Sequence, residues 1–214
     1  MAAQGSFISF EGIDGAGKST QARLLHDRLR ARGRNTVLTR EPGGSPGAED
    51  IRRLLVSGAD GRWSAETEIL LFTAARRDHL EKTIRPAMAR GDTVLSDRFA
   101  DSTRVYQGAA RGQLREVVDA LHARMIGCEP DLTFIIDMEP ELALARGLER
   151  SGTETRFEDM GLAFQTRLRD GFLSLAREFP ARCHVIDGNR PAAEIADAID
   201  TALRAALPGL AAPA

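Results

Sequence analysis

The sequence predicts an α/β fold in which a parallel five-stranded sheet carries helices on both faces. Short apolar runs that favour β-strands alternate with longer stretches of helical periodicity, a pattern typical of parallel sheets with helical crossovers. The strand-like runs cover residues 6–10, 35–39, 93–96, 132–137 and 184–187. The helical stretches cover residues 20–29, 48–57, 66–89, 114–126, 141–148, 162–178 and 192–207. We expect residues 1–214 to form one domain that ends in a frayed tail over 207–214.

Residues 12–19 match a phosphate-binding motif. They read Gly-Ile-Asp-Gly-Ala-Gly-Lys-Ser, which fits the pattern G-x-x-x-x-G-K-[ST], and they lie between a predicted strand and a predicted helix. In this motif the backbone N–H groups surround an anion, Lys18 reaches the β- and γ-phosphates, and the Ser19 hydroxyl holds Mg²⁺. A glycine-rich turn that merely starts a helix is the alternative, and the correct flanks argue against it. The motif therefore predicts a P-loop NTPase fold.

The bulk composition restricts the classes of partner. The chain has 43% hydrophobic residues, enough for one sizeable core, and a formal net charge of only −2, which does not favour nucleic acid as a partner. No apolar run approaches the roughly 18 residues of a membrane-spanning helix, so we expect neither export nor a membrane. Cys128 and Cys183 lie far apart, which favours two free thiols in a reducing, cytoplasmic compartment.

Charged residues follow four of the predicted strands. They are Glu11, the pair Arg40 and Glu41, the pair Asp97 and Arg98, and Asp137. In parallel sheets of this kind, ligands bind beyond the carboxyl ends of the strands, so these side chains are expected at one rim beside the P-loop. A single charged strand end is as often a solvated end as a functional one. Four of them together with a P-loop predict a binding site.

A P-loop alone leaves three functions open. A GTPase is disfavoured because the base-reading pattern N-K-x-D is absent. A motor or partition ATPase remains possible, although we would expect a larger chain or a surface for DNA or protein. Phosphate transfer to a small acceptor needs cationic groups for a second phosphate, a pocket for the acceptor and a part that closes over it.

Two pairs of residues are candidates for the acceptor side. The carboxylate of Asp97 suits the Mg²⁺ network, and the fork of Arg98 suits an acceptor phosphate. Phe72 and Arg76 share one face of a predicted helix, where a ring and a guanidinium are suited to stack on and hydrogen-bond a base. The alternatives are a structural ion pair between Asp97 and Arg98, and an ordinary core ring at Phe72.

The motif series as a whole resembles bacterial thymidylate kinases. The segments are "FEGIDGAGKST" at 10–20, "TREPGG" at 39–44, "LLFTAARRDHL" at 70–80, "DRFADSTRVYQG" at 97–108 and "PDLTFIID" at 130–137. They occur in the family's order and separations, and the resemblance covers residues 7–205. The second and fourth segments are much more specific than the P-loop, because generic ATPases lack them.

The resemblance implies an enzyme that transfers the γ-phosphate of ATP to the 5′-phosphate of dTMP with Mg²⁺. It implies that Arg98 and Arg52 bind the acceptor phosphate, Phe72 stacks on thymine and Arg76 donates to its O4. It also implies that Thr103 and Gln107 lie near N3, Tyr106 lies beneath the 2′ carbon, and Asp14 contacts the acceptor sugar or phosphate. The implied metal set is Ser19, Asp97 and Glu41. The implied ATP-binding set is Gly12, Ile13, Asp14, Gly15, Ala16, Gly17, Lys18, Ser19 and Thr20, with Arg146.

The resemblance also implies an arginine-bearing lid over about 145–159. Arg146, Arg150 and Arg156 flank the small residues 151–153, and such a loop suits a lid that closes on ATP. A solvated helix end is the alternative. Leu148 stands where relatives often carry another arginine, so which arginine acts stays open. Lys18, Arg98, Asp14, Arg150 and Arg156 are the expected catalytic residues, and a homodimer is the expected assembly.

Overall fold

Five parallel strands form the centre of the chain and confirm the predicted fold class. The computed structural model describes residues 5–57, 62–109, 114–149 and 161–211. The strands are β1 Phe7–Glu11, β2 Thr36–Arg40, β3 Thr93–Asp97, β4 Leu132–Asp137 and β5 Cys183–Asp187, in the spatial order β2-β3-β1-β4-β5. β1 therefore lies between β3 and β4, and its pairing sets Phe10 opposite both Asp97 and Phe134.

Helices connect the strands. They are α1 Lys18–Ala31, α2 Pro46–Val56, α3 Ala65–His79, α4 Arg85–Ala89, α5 Ala100–Thr103, α6 Arg115–Leu121, α7 Pro140–Glu149, α8 Leu162–Glu178, α9 Ala192–Ala206 and α10 Pro208–Ala211. Three π-helical turns continue α3, α5 and α6, namely Leu80–Ile84, Arg104–Ala109 and His122–Ile126. Two predicted helices, 66–89 and 114–126, are therefore helical throughout but contain a π-helical turn.

The helical segment 100–109 was not predicted. Its sequence is rich in polar residues, and an apolar stripe of period 3.6 is not visible there. Four of its polar side chains are nevertheless almost fully buried, because they are paired with other polar groups: Asp101, Thr103, Arg104 and Gln107. This segment lies directly after β3 and contributes most of the side chains on one wall of the candidate site.

The core lies on both faces of the sheet. Alternate residues of β1 and β3 face opposite sides: Phe7 and Val94 join one buried cluster, whereas Ile8, Phe10 and Leu95 join the other. The second cluster, which is the main core, also contains Ala22, Leu25 and Leu29, which form an apolar stripe along α1. The P-loop is thus held between a fully buried strand and a helix that is anchored in the main core.

The C-terminal segment differs from the expected frayed tail. Leu207 and Leu210 pack partly buried against the main core, and residues 208–211 form α10. Arg34 donates to the carbonyl of Gly209, which ties this helix to the end of α1. The burial of these two leucines stabilises the segment, whose proline and glycine content had suggested a frayed tail. In the part of the chain that the structure describes, no helix has both the length and the apolar character to cross a membrane.

A buried cluster of ion pairs fixes the segment 100–109 to the sheet. Asp101 accepts from Arg104 at 2.8 Å and from both terminal nitrogens of Arg182, at 2.6 and 2.9 Å. Arg104 and Arg182 also pair with Glu129. Asp101 is 1% exposed, so its charge is balanced almost entirely by the two guanidinium groups. Arg182 directly precedes β5, and the cluster therefore connects the wall of the site with the opposite end of the sheet.

Asp101→Ala should destabilise the protein by about 3 kcal/mol, because it leaves two buried guanidinium groups without their shared carboxylate. Asp50→Ala is the matched control, since its pair with Arg53 is about 70% exposed on both sides and should contribute about 0–1 kcal/mol. Urea unfolding of the two variants measures both effects. Equal stability of the two variants would contradict a structural role for the cluster.

Candidate active site

The P-loop runs from the end of β1 to the start of α1 and depends on two close backbone approaches. Gly12 has a φ of +136°, and a Cβ there would lie 2.5 Å from the carbonyl oxygen of Ile136 on β4. Gly15 has a φ of +85°, and a Cβ there would lie 2.0 Å from the carbonyl oxygen of Ala143 on α7. Glycine is required at both positions for conformation and for space. The loop is therefore pressed against β4 and α7.

Lys18 lies folded over the loop. Its Nζ donates to the carbonyl oxygen of Ile13 at 2.7 Å and lies 3.8 Å from Oδ1 of Asp14. Burial, together with the nearby charge of Arg98, lowers the pKa of Lys18 to about 8, although Asp14, Asp97 and Glu11 counteract this. Phosphate oxygens at this position would favour the charged ammonium again. The geometry thus agrees with a lysine that binds phosphates inside the loop.

Ser19 and Asp97 provide oxygen atoms that suit Mg²⁺. The Ser19 hydroxyl donates to Oδ2 of Asp97, and Oδ1 of Asp97 is buried with no hydrogen-bond partner among the described residues. An unpartnered buried carboxylate oxygen next to a hydroxyl fits a hard cation that takes few protein ligands and completes its shell with phosphates and water. Over the described ranges, no three His, Cys, Asp or Glu side chains form a metal-binding group.

Glu41 does not fit the metal set to which the resemblance assigned it. Its Oε2 accepts from Nε of Arg76 at 2.7 Å, and its Oε1 lies 3.0 Å from Nδ1 of His79. Both oxygens of this carboxylate, which is 5% exposed, are therefore bound within the protein. We correct the assignment accordingly and leave Ser19 and Asp97 as the candidate metal residues.

Arg98 is at the centre of the site. It is the one non-glycine residue of the described ranges with a positive φ, at 72°. Its Nη1 donates to Ser102 at 2.8 Å and to the carbonyl of Gly12 at 3.2 Å. Its Nη2 pairs with Oδ1 of Asp14 and lies 3.1 Å from the hydroxyl of Tyr106. The ion-pair partner of Arg98 is therefore Asp14 in the P-loop and not the adjacent Asp97.

Asp14 links the P-loop to the segment 100–109. Its Oδ2 accepts from the hydroxyl of Tyr106 at 2.9 Å, while its Oδ1 pairs with Arg98. Burial alone would raise the pKa of this carboxyl, but the charges of Arg98 and Lys18 and the hydrogen bonds outweigh it and bring the pKa of Asp14 to about 2. Asp14 is therefore ionised at every physiological pH.

The residues expected at the base lie on α3 and on the segment 100–109. Arg76 is 4% exposed, and its Nη2 donates to Oγ1 of Thr103 at 2.9 Å and to the carbonyl of Phe99 at 3.2 Å. Gln107 donates to Glu68 at 3.1 Å. Phe72 lies one turn before Arg76, is only half-buried and belongs to neither buried cluster. Phe72 is thus not an ordinary core ring, and part of its surface stays exposed.

The ring and the hydroxyl of Tyr106 lie in different environments. Its ring packs edge-on against Phe164 and Phe172 of α8, each with centroids 6.3 Å away, and it belongs to the main core. Its hydroxyl lies in the Asp14–Arg98 network. The packing fixes the ring, and the fixed ring holds the hydroxyl between the two charged groups.

The remaining predicted residues are distributed over α2 and α7. Arg52 on α2 donates to the carbonyl of Pro42 at 2.6 Å, at the turn that follows β2. Arg146 is exposed near the end of α7, with Nη1 3.5 Å from Sδ of Met138. Arg150 and Arg156, and with them most of the predicted lid, lie outside the described residues.

The sequence analysis noted Glu11 only as a charged strand end, but it is part of the site. Its two oxygens accept from the backbone N–H of Phe99 at 2.7 Å and from the Ser102 hydroxyl at 2.6 Å. Burial, with a contribution from Asp101, raises the pKa of Glu11 to about 7 against the opposing effect of Arg98 and these hydrogen bonds. Ser102 also accepts from Arg98, so Glu11 supports Arg98 through one hydroxyl. The sequence signal that could have identified Glu11 as a site residue was its position directly before the P-loop.

Together, the parallel sheet, the P-loop and the neighbouring side-chain cluster around Arg98 place the chain in the class of P-loop NTPases. Comparisons with known proteins narrow this class. The family model for thymidylate kinase matches residues 10–199. The chain belongs to the thymidylate kinase family.

Individual relatives agree with this assignment over nearly the whole chain. A thymidylate kinase of Dinoroseobacter shibae is 70% identical over 196 residues, which are 92% of this chain and 95% of that relative. A thymidylate kinase of Caulobacter vibrioides is 57% identical over 87% of this chain and 89% of the relative. The crystal structure of thymidylate kinase from Ehrlichia chaffeensis aligns with a TM-score of 0.76 at 37% identity, covering 94% of this chain and 99% of the other.

The raised pKa of Glu11 gives stability a specific pH dependence. In the unfolded chain this carboxyl ionises near 4.5, whereas in the folded chain it ionises near 7. Between these values the native state retains a proton that the unfolded chain has released, so the free energy of unfolding falls as pH rises, by up to about 1.4 kcal/mol per unit. Glu11→Gln cannot ionise and should lack this contribution.

Urea unfolding of the parent and of Glu11→Gln at pH 5, 6, 7 and 8 measures the effect. The stability of the parent relative to the variant should decline from pH 5 to 7 and become constant above that. A difference that does not change with pH would show that Glu11 is charged in the native state over the whole range.

Proposed function

We propose that this chain transfers the γ-phosphate of ATP to the 5′-phosphate of dTMP, which gives dTDP and ADP. Membership of the thymidylate kinase family supports this reaction, since the family uses ATP as its phosphate donor. The observation that carries the proposal is the position of Asp14, a residue of the P-loop that binds both Arg98 and Tyr106 of the neighbouring pocket. Donor loop and acceptor pocket are thus directly connected, as transfer between two bound phosphates requires.

On the donor side, the N–H groups of residues 12–20 surround the phosphates of ATP in this proposal, and the N-terminus of α1 adds its dipole. Lys18 exchanges the carbonyl of Ile13 for the β- and γ-phosphate oxygens. Ser19 and Asp97 would hold Mg²⁺, which would supply positive charge to neutralise the phosphate oxygens. The unpartnered Oδ1 of Asp97 supports this assignment. We assign Arg146 to ATP binding, and Arg150 and Arg156 to the proposed lid.

On the acceptor side, Arg98 and Arg52 bind the 5′-phosphate, since planar guanidinium groups suit two phosphate oxygens at once. Phe72 offers its half-buried ring for stacking on thymine, and Arg76 donates to O4. Thr103 and Gln107 lie near N3, whereas Tyr106 limits the space at the 2′ carbon. These roles are proposals that rest on the family and on the common location of α3 and segment 100–109.

The chemical step needs little covalent participation by the protein. The acceptor phosphate is already an anionic nucleophile near neutral pH, so no dedicated base is required. A loose, in-line transition state places charge on the equatorial oxygens, and fixed cations stabilise that charge. Arg98 is held by four contacts of its guanidinium before any ligand arrives, which reduces the reorganisation needed in the reaction.

We further propose a homodimer in the cytoplasm. Leu70 on α3 is 59% exposed, and Met125, on a π-helical turn that Arg77 of α3 contacts, is 49% exposed. Val117 on α6 is 44% exposed. Such apolar side chains suit a helical interface between two copies, which sedimentation equilibrium tests directly. Both cysteines are free thiols, as fits a reducing compartment.

The experiment that tests the proposed reaction measures ADP release with ATP and Mg²⁺ and each nucleoside monophosphate in turn. We expect dTMP to be the preferred acceptor and dUMP to be used about 10- to 100-fold less efficiently, because a missing methyl group costs about 1–3 kcal/mol. Preference for AMP or dCMP would contradict the assigned acceptor. ATP hydrolysis without any acceptor, stimulated by DNA or protein, would favour a motor ATPase.

A pair of lysine variants shows that the measured activity belongs to this chain. Lys18→Ala should lower kcat at least about 100-fold, because a cation at the transferred phosphate is lost. Lys82→Ala is the matched control, since Lys82 is 55% exposed and pairs only with the nearby Asp78; it should retain full activity. Equal activity of the two variants would remove Lys18 from the reaction.

A further inference from the structure

A chain of buried hydrogen bonds connects the end of β2 with the segment 100–109. Oγ1 of Thr39 lies 2.7 Å from Nε2 of His79, and Nδ1 of His79 lies 3.0 Å from Oε1 of Glu41. Oε2 of Glu41 accepts from Nε of Arg76 at 2.7 Å, and Nη2 of Arg76 donates to Thr103 at 2.9 Å. The mechanism described above uses only Arg76 and Thr103. It gives no role to Glu41 and His79, although these two side chains are buried, with 5% and 0% of their surface exposed.

The donors and acceptors of this chain fit one orientation. An ionised carboxylate only accepts hydrogen bonds, so Nδ1 of His79 must carry a proton toward Glu41. In the neutral ring Nε2 then accepts from the Thr39 hydroxyl. Both nitrogens of the imidazole are thus engaged, and both oxygens of Glu41 are engaged on opposite sides. The ring has no freedom to flip without the loss of two buried hydrogen bonds.

Gly44 makes room for this arrangement. A Cβ on Gly44 would lie 2.4 Å from Nε2 of His79 and 2.4 Å from Oγ1 of Thr39. The "TREPGG" segment therefore supplies three parts of the chain of contacts at once: the hydroxyl of Thr39, the carboxylate of Glu41 and the space at Gly44. These contacts account for the residues of this segment without assigning Glu41 to a metal ion.

Arg76 is held at three of its five N–H donors. Nε is bound by Glu41, and the two hydrogens of Nη2 are directed at Thr103 and at the carbonyl of Phe99. The guanidinium also lies 5.2 Å from the centroid of the Phe99 ring. Within the described residues no acceptor for Nη1 is found, so these two donors remain for a ligand. A planar fork fixed on its other sides presents Nη1 in one direction only.

We propose that Glu41 and His79 are positioning residues that fix the guanidinium of Arg76 for selection of a pyrimidine that carries an oxygen at C4. The inference rests on the proposed function, in which Arg76 donates to thymine O4. An oxygen at C4 accepts from Nη1, whereas the amino group of cytosine is itself a donor and meets a donor that cannot turn away. Rigid support of Arg76 thus disfavours the binding of dCMP as much as it favours the binding of dTMP.

The test compares His79→Leu with His79→Asn. Asparagine can place an amide N–H near the position of Nδ1 and so can still donate to Glu41, whereas leucine fills the space without a donor. We expect His79→Leu to raise the KM for dTMP about tenfold and to lower the ratio of kcat/KM for dTMP over dCMP by a similar factor. His79→Asn should keep both within about threefold of the parent, and the KM for ATP should not change in either variant.

Glu41→Gln provides a second, independent variant. It removes the anionic partner of Arg76 with almost no change of shape, and it should reduce the dTMP over dCMP ratio at least as much as His79→Leu. If His79→Leu does not fold, Glu41→Gln and His79→Asn carry the comparison alone. Lower melting temperatures with an unchanged ratio would overturn the inference, as would equal losses in His79→Leu and His79→Asn.

Failure of the inference is distinguishable from failure of the proposed function. A parent enzyme that shows no preference for dTMP, or an Arg76→Ala variant that keeps the full preference, would refute the base-reading role of Arg76 and this inference with it. A parent that prefers dTMP and loses the preference in Arg76→Ala but not in Glu41→Gln or His79→Leu would refute only the positioning role.

Discussion

The ion pair between Asp14 and Arg98 is the interaction on which the geometry of the site depends. The two residues are 84 positions apart in sequence, and they meet because β1 and β3 are neighbours in the sheet. The backbone N–H of Arg98 donates to the carbonyl of Phe10 at 2.9 Å, which places the residue directly beside the strand that leads into the P-loop. Its positive φ turns the chain at this point, and four contacts of its guanidinium offset the backbone strain.

Charge balance around this pair explains the properties of its neighbours. Asp14 is ionised because it faces Arg98 and Lys18, and the low pKa follows from that environment. Glu11 lies behind the same arginine but is fully buried, so its pKa shifts in the opposite direction. The pKa values of these two carboxyl groups, both influenced by the charge of Arg98, therefore differ widely: about 2 for Asp14 and about 7 for Glu11. In the proposed function, the acceptor phosphate shares Arg98 with Asp14 and meets a guanidinium that is already oriented.

The elements that could be predicted from sequence are those whose signal is local. The five strands are short apolar runs, the P-loop is a contiguous motif, and the stripe of α1 has regular spacing. The family's segments also identified Arg76, Thr103, Tyr106 and Gln107, which the structure places on α3 and on the wall formed by 100–109. Sequence reasoning did not show the helical segment itself, because its buried side chains are polar and are stabilised by partners far away in the chain.

The sequence could not predict which side chains of the site pair with one another. The resemblance placed Glu41 in the metal set, but its partners come from α3, more than 30 positions later. An ion pair with the adjacent Asp97 was the alternative considered for Arg98, whereas the sheet brings Arg98 to Asp14. In both cases the partner is determined by which strands and helices are neighbours in space. A strand end shows that a charge lies at the rim and does not show which group it meets.

The most direct test of the central claim is the binding of each substrate to Arg98→Gln, measured by isothermal titration calorimetry. If Arg98 holds the acceptor phosphate beside the P-loop, the Kd for dTMP should rise about 100-fold through the loss of charge-assisted hydrogen bonds, while the Kd for ATP with Mg²⁺ stays within about threefold. A lower melting temperature with unchanged affinity for dTMP would contradict the account, because Arg98 would then only stabilise the fold.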